Sequence, residues 1–167
     1  MLRLRPYKKA DAKHIAGWIR DEATFRRWCA ESFDKYPVRA ENIDARYERE
    51  NEADSFIAMT AFDEDGPAGH LVMSFTNRDR TELHFGFIIV DDAKRGRGYG
   101  AQMLGLAAEY AFRILRVRRI WLGVFENNEP ARRCYRSADF TDVPAGEERS
   151  LRFFGEDWKC LEMELTR

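Results

Sequence analysis

Cysteine is scarce in this chain and is not arranged in pairs. Cys29, Cys134 and Cys160 are an odd number with no Cys-x-x-Cys among them, which argues against a disulfide framework and against a thiolate zinc site. Histidine is as sparse, and His14, His70 and His84 are spaced too widely to form a helical metal pair. No metal is expected.

Long apolar runs are missing as well. The longest, Phe85 to Val90 with one glycine inside it, is far below the roughly 20 residues of a membrane span, and Met1-Leu-Arg-Leu-Arg lacks the apolar region of a secretory signal. A cytoplasmic protein with no membrane partner is the expectation. An excess of charge of either sign is absent too: 28 Lys and Arg against 29 Asp and Glu give a net charge of -1, so the chain as a whole carries no footprint for nucleic acid. Repeats and Pro/Gly/Ser linkers do not occur. What remains is a chain of 167 residues, 44% apolar and 13% aromatic, long enough for one core and expected to form one domain over 1–167.

Periodicity gives a mixed sheet with helices. Residues 2–6 alternate like a short strand, and Asp11 is placed to cap a helix carrying Ile15, Trp18 and Ile19. Helices are expected over Glu22 to Cys29, 40–50, 99–115 and 129–137. Strands are expected over 55–62, 68–76, Glu82 to Val90, 119–125, and near 139–143 and 157–165, with Asp63 to Pro67 as the clearest turn. Phe85 to Val90 is apolar on both faces, as in a strand buried on both sides. Strand, helix, strand across 82–125 implies a right-handed parallel crossover.

Between the most buried strand and the longest helix stands Asp91-Asp-Ala-Lys-Arg95-Gly96-Arg97-Gly98-Tyr99-Gly100. Amides freed by glycine at a helix N-terminus suit a phosphate or diphosphate, and Lys94, Arg95 and Arg97 add local positive charge. The alternative is that these glycines merely end a strand and start a helix. A dinucleotide site would want Gly-x-Gly-x-x-Gly, and a nucleotide-hydrolase loop would want Gly-Lys followed by Ser or Thr; neither is present.

A second motif closes the next strand. Asn128 can cap the helix that follows, with Pro130 in its first turn, and Ala131, Cys134 and Tyr135 then share one helical stripe. Arg95-x-x-Gly98-x-Gly100, a long helix, and then Asn128-x-x-Ala131-x-x-x-Tyr135 with Phe140 resemble the GNAT N-acetyltransferases over roughly residues 82–140. The resemblance implies an acyl-CoA N-acyltransferase fold, α/β with mixed α+β character, built on a central mixed twisted sheet. Two parallel strands, 82–90 and 119–125, splay apart at their C-terminal ends. It implies acetyl-CoA as co-substrate, with its pantetheine arm along Phe87, Ile88, Ile89 and Val90 and its diphosphate on the amides of Arg95, Gly96, Arg97, Gly98, Tyr99 and Gly100. Asn128 and Ala131 fall to the same cofactor. The family's usual glycine before the final aromatic is Asp139 here, a residue that can still enter the left-handed region.

Acetyl transfer from a thioester to an amine needs a neutral amine and a proton for the departing thiolate. A phenol can supply that proton, and by resemblance Tyr135 is the candidate acid; the alternative is an aromatic packed on an apolar stripe. Glu82 and His84 share a strand face with Gly86, opposite Leu83, Phe85 and Phe87, and either can accept the amine proton directly or through water. A solvated strand start explains them equally well. Cys134 reads as a packing residue, since no His or acid is placed by sequence to activate it. Residues 41–65 hold nine acidic and two basic side chains, either a solvated face or a field that steers a cationic amine. Phe25, Trp28, Phe33 and Tyr36 wall an acceptor pocket or form a satellite core, and Arg113, Arg116, Arg118 and Arg119 suit a helix C-terminus.

The expected activity is direct acetyl transfer from acetyl-CoA to an amine in a ternary complex, by an enzyme acting alone or as a homodimer. The alternative from another class is a non-catalytic acyl-CoA sensor on the same fold.

Overall fold

The computed structural model describes residues 1–144 and 148–167. Its strands are β1 (Arg3–Pro6), β2 (Phe56–Asp63), β3 (Gly66–Phe75), β4 (Glu82–Val90), β5 (Arg119–Phe125), β6 (Thr141–Asp142), β7 (Arg149–Phe153) and β8 (Glu156–Thr166). They join one sheet in the order β1-β2-β3-β4-β5-β8-β6, with β7 also pairing β8. The helices are α1 (Ala12–Trp18), α2 (Glu22–Cys29), α3 (Ala40–Asn51), α4 (Tyr99–Arg113) and α5 (Glu129–Ser137), with single 3-10 turns at Lys9–Asp11 and Asp92–Lys94. Among the described residues no helix is long and apolar enough to cross a membrane.

Two cores form, one on each face of the sheet. Alternate residues of β4 and β5 (Leu83, Phe85, Ile120, Leu122, Val124) pack against Met103, Leu104, Ala107, Ala108 and Ala111 of α4, the apolar stripe that the 3.6-residue period requires. The opposite face receives Ile15 and Trp18 of α1, Phe25 and Trp28 of α2, and Ile43 and Tyr47 of α3. The expected aromatic satellite therefore exists, with Phe25 and Trp28 inside it and Phe33 and Tyr36 at its margin.

Three expectations need correction, and one strand was not anticipated. Phe87 does not share a face with Leu83 and Phe85. His70 pairs Ile89 and Val72 pairs Gly86, so Phe87 and Ile88 on β4 together oppose Leu71 on β3. This is a β-bulge, with Phe87 at φ +49. The extra residue reverses the alternation, sending Phe87 and Ile89 to the helix α1–α3 side and Ile88 and Val90 to the α4 side. Asp11 does not cap α1 with its side chain. It is buried and accepts from both terminal nitrogens of Arg5 at 2.7 and 2.9 Å, from the Lys8 amide at 2.8 Å and from Thr60 Oγ1 at 2.9 Å. The β2–β3 turn is only Glu64-Asp65, because strand pairing runs to Asp63 and Gly66. The strand β7 was not expected.

Candidate active site

β4 and β5 run parallel and pair only through Glu82–Arg119, Leu83–Ile120 and His84–Trp121. Beyond that point β4 keeps its partner β3 and β5 keeps its partner β8, and the two strands part. The bulge at Phe87 supplies the bend that opens the gap. The splay of the two parallel strands is thus built into the register.

The gap's β4 side leads into the glycine turn. Gly96 and Gly98 both stand at φ +75, a conformation with little steric cost only for glycine. Gly98 is the N-cap of α4 and offers no side chain to its first-turn amides, so those donors are left for an outside acceptor. Arg95 and Arg97 are exposed beside them. Lys94 is not available in the same way. Its Nζ lies 2.8 Å from Asp63 Oδ1, both side chains nearly out of solvent, and the Tyr99 hydroxyl donates to Asp63 Oδ2 at 3.0 Å. The ammonium of Lys94, with the Asp65 amide and Tyr99, holds the Asp63 carboxyl down to about 2. Asp63 therefore clamps both ends of the Arg95–Gly98 turn, a role no local pattern in the sequence announced. These donors and cations fit the diphosphate of a coenzyme.

Gly100 has a second use. A Cβ there would stand 2.5 Å from Cys134 Sγ and 3.8 Å from Val90 Cγ2, so its lack of a side chain lets α5 approach the start of α4. Cys134 is a packing residue at this crossing, its thiol pushed up by burial. At the head of α5, Asn128 Oδ1 accepts from the Ala131 amide at 3.4 Å, so Asn128 is the cap that its position suggested, and Ala131 packs against the α4-side core. Tyr135, one stripe along, is buried with its ring 6.5 Å from Phe140. Burial raises its hydroxyl above the usual phenol range, with Cys134 adding to the effect. Among the described residues nothing bonds that hydroxyl. Asp139 adopts the left-handed conformation at φ +66 and turns the chain from α5 to Phe140.

On the other sheet face, His84 lies against Trp121 with ring centroids 4.4 Å apart. Its imidazole leans along β4 over Gly86, where a Cβ would come within 3.0 Å of Cε1. Burial lowers the His84 pKa, and Glu162 opposes that shift. Glu82 is two residues further from the gap and sits 3.4 Å from Arg119, which also holds Glu162 and Glu164 at 2.6 Å each.

A splayed parallel pair and a glycine-opened helix N-terminus are features of the fold that the resemblance implies. The family model described as "Acetyltransferase (GNAT) family" matches residues 15–140. The chain belongs to that family. Membership carries acetyl-CoA as co-substrate and N-acetyl transfer as the activity, and a non-catalytic sensor is not favoured. The chain is 22% identical over 140 residues to spermidine N(1)-acetyltransferases of Escherichia coli, strains K12 and O157:H7, covering 84% of this chain and 73% of theirs. Among solved structures, spermidine N-acetyltransferase from Vibrio cholerae in complex with CoA and spermine superposes with a TM-score of 0.80 at 19% identity. The match spans 99% of this chain and 95% of that one.

Sequence reasoning missed a second feature of the site besides the Asp63 clamp. Phe87 packs on Trp28 and Phe33, with centroids 5.2 and 5.9 Å away, and Arg46 lies over the Phe33 and Phe87 rings at 5.4 and 5.5 Å. The available signal was the helical spacing of Asn42, Ala45, Arg46 and Arg49, which gives α3 a polar stripe opposite Ile43 and Tyr47.

Proposed function

We propose that acetyl transfer takes place in the gap between β4 and β5, with Tyr135 as the general acid and His84 as the group that receives the amine proton. The parting of the two strands immediately after His84–Trp121 carries this reading. The coenzyme supplies an acyl group activated as a thioester. The amide donors of Gly96 to Gly100 and the cations of Arg95 and Arg97 hold its phosphates, and the unpaired edge of Phe87 to Val90 aligns its arm. The amine nitrogen forms a bond to the acetyl carbon as the carbon–sulfur bond breaks. The proton released by nitrogen goes to the His84 imidazole or to water beside it, and the sulfur takes one from the Tyr135 hydroxyl.

His84 is favoured over Glu82 on position and charge. Its ring reaches over Gly86 toward the gap and burial keeps it neutral, whereas Glu82 is committed to Arg119. The whole of residues 1–167 acts as one domain, supported by the joining of all its strands in one sheet. Polyamines enter as candidate acceptors through the names of the relatives above. A thiol-release assay with acetyl-CoA and a broad panel of polyamines, amino acids, amino sugars and peptide N-termini tests the reading. Amine-dependent release with a matching N-acetyl product is expected, and its absence across the panel overturns the assignment.

A further inference from the structure

A concavity of about 780 Å3 lies between the 32–39 segment and α3. That volume suits a small-molecule ligand. Four cations line it, Lys35, Arg39, Arg46 and Arg49, against the single carboxylate of Asp34. Among the described residues no carboxylate comes within ion-pair distance of Lys35, Arg39 or Arg49.

Arg46 is the fixed member of the group. Its guanidinium is stacked over Phe33 and Phe87 and donates to the Ser32 carbonyl at 2.5 Å. Its nearest carboxylate, Glu50, is 3.5 Å away, and its Nε is shut from solvent without an acceptor. Segment 41–65 is strongly acidic in sequence, yet its only two basic side chains, Arg46 and Arg49, are the ones that face this cavity.

We propose that this cavity is the acceptor's anion subsite, so that the amine acetylated by this chain carries a carboxylate or a phosphate. The inference rests on the N-acetyltransferase reading and deepens it. Like charges gathered around one concavity repel each other, and a bound anion converts that repulsion into attraction. Arginine forks suit carboxylate and phosphate oxygens equally. A polycation entering here meets charge of its own sign, which is discrimination by repulsion.

The cavity is also correctly placed. Phe33 and Arg46 form its wall and pack directly on Phe87, the bulge residue at which β4 leaves β5. An acceptor anchored by its acidic end in the cavity therefore has its other end next to the gap. Negative charge lies on the amine's side, where Glu162 acts on His84. The coenzyme's diphosphate is not the guest, because α3 covers one face of the sheet and the glycine turn opens α4 on the other.

The test uses the full chain, saturating acetyl-CoA and amines matched in size: putrescine against 4-aminobutyrate, glucosamine against glucosamine 6-phosphate, with spermidine alongside. The anionic member of a pair is expected to exceed its partner in kcat/KM by about tenfold or more, and the two pairs separate a carboxylate from a phosphate preference. Arg39 and Arg49 are exposed, so Arg39→Glu with Arg49→Glu leaves the fold intact. That variant is expected to raise KM for the anionic amine by about tenfold while KM for acetyl-CoA stays put, and Arg49→Lys to restore most of it. If spermidine or putrescine outperforms every anionic amine, or charge reversal leaves KM for the anionic amine unchanged, the inference is overturned while the enzyme remains an N-acetyltransferase. Transfer to no amine at all removes both.

Discussion

Tyr135 combines two properties that seldom coincide: it is buried, and among the described residues no group claims its hydroxyl. The hydroxyl is not among the unpaired polar atoms shut from solvent, so an acceptor that arrives with the reaction can reach it. Tyr135→Phe keeps the ring against Phe140 and removes only the donor. Turnover should fall by roughly 100-fold or more, in the range of general-acid losses, with coenzyme affinity and melting temperature close to wild type. An equal loss of coenzyme binding, measured by calorimetry, would give Tyr135 a packing role instead. His84 makes a separate prediction. Because burial lowers its pKa, the imidazole stays able to accept a proton below its ordinary value of about 6.5, and the acid limb of kcat should lie under that pH and disappear in His84→Gln. Tyr135 could be nominated from the sequence because its relation to Asn128 is local, seven positions along one helix stripe. Phe87 was placed on the wrong face because the bulge that turns it is a property of the β3–β4 pairing, and strand alternation alone carries no trace of a partner's register.

Helices α4 and α5 meet at a contact that depends on one missing methyl group. Gly100→Ala would put a Cβ 2.5 Å from Cys134 Sγ, and overpacking of this kind costs about 1–3 kcal/mol. The clash belongs to the pair, so Gly100→Ala with Cys134→Ala should recover most of the stability lost by the single change. A denaturant-unfolding cycle reads the coupling directly, and strictly additive costs would show that the two helices do not touch there. Asn128→Ala removes the cap on α5 and should cost about 1 kcal/mol, with a weaker grip on the coenzyme if the cap also positions the Tyr135 stripe. The longer elements were readable because each has a periodic apolar face: α4 runs to Arg113 where 115 was expected, and β4 and β5 match residue for residue. β7 escaped notice for the opposite reason. It is a five-residue strand with three exposed positions that pairs only with β8, so burial imposes no alternation on Arg149–Phe153.

Acid stability gathers contributions from distant parts of the protein. His70 is fully buried on β3, where its Nε2 meets the Tyr47 hydroxyl at 2.8 Å, with the Tyr7 ring 5.6 Å away and Asp11 the nearest influential charge. Burial pushes its pKa down to about 3. Below about 6.5 the unfolded chain binds a proton that the folded chain refuses, so unfolding becomes easier by up to about 1.4 kcal/mol for each pH unit between those two values. Asp63 acts in a lower window. Its carboxyl is held down to about 2, so the stability it contributes is complete above about 4 and is lost as pH falls through 2. Urea unfolding followed from pH 7 to pH 4 should therefore show a decline that belongs mainly to His70, and His70→Gln should flatten it whatever its effect at neutral pH. Asp63→Asn should leave that slope unchanged and instead lower stability at neutral pH by about 2 kcal/mol. Because Asp63 fastens Lys94 and Tyr99 on either side of the glycine turn, the same substitution should also weaken coenzyme binding. One carboxylate at the end of β2 would then couple the acid tolerance of the fold to the shape of the phosphate site, a link that neither the β2 sequence nor the glycine motif reveals until strand pairing brings them together.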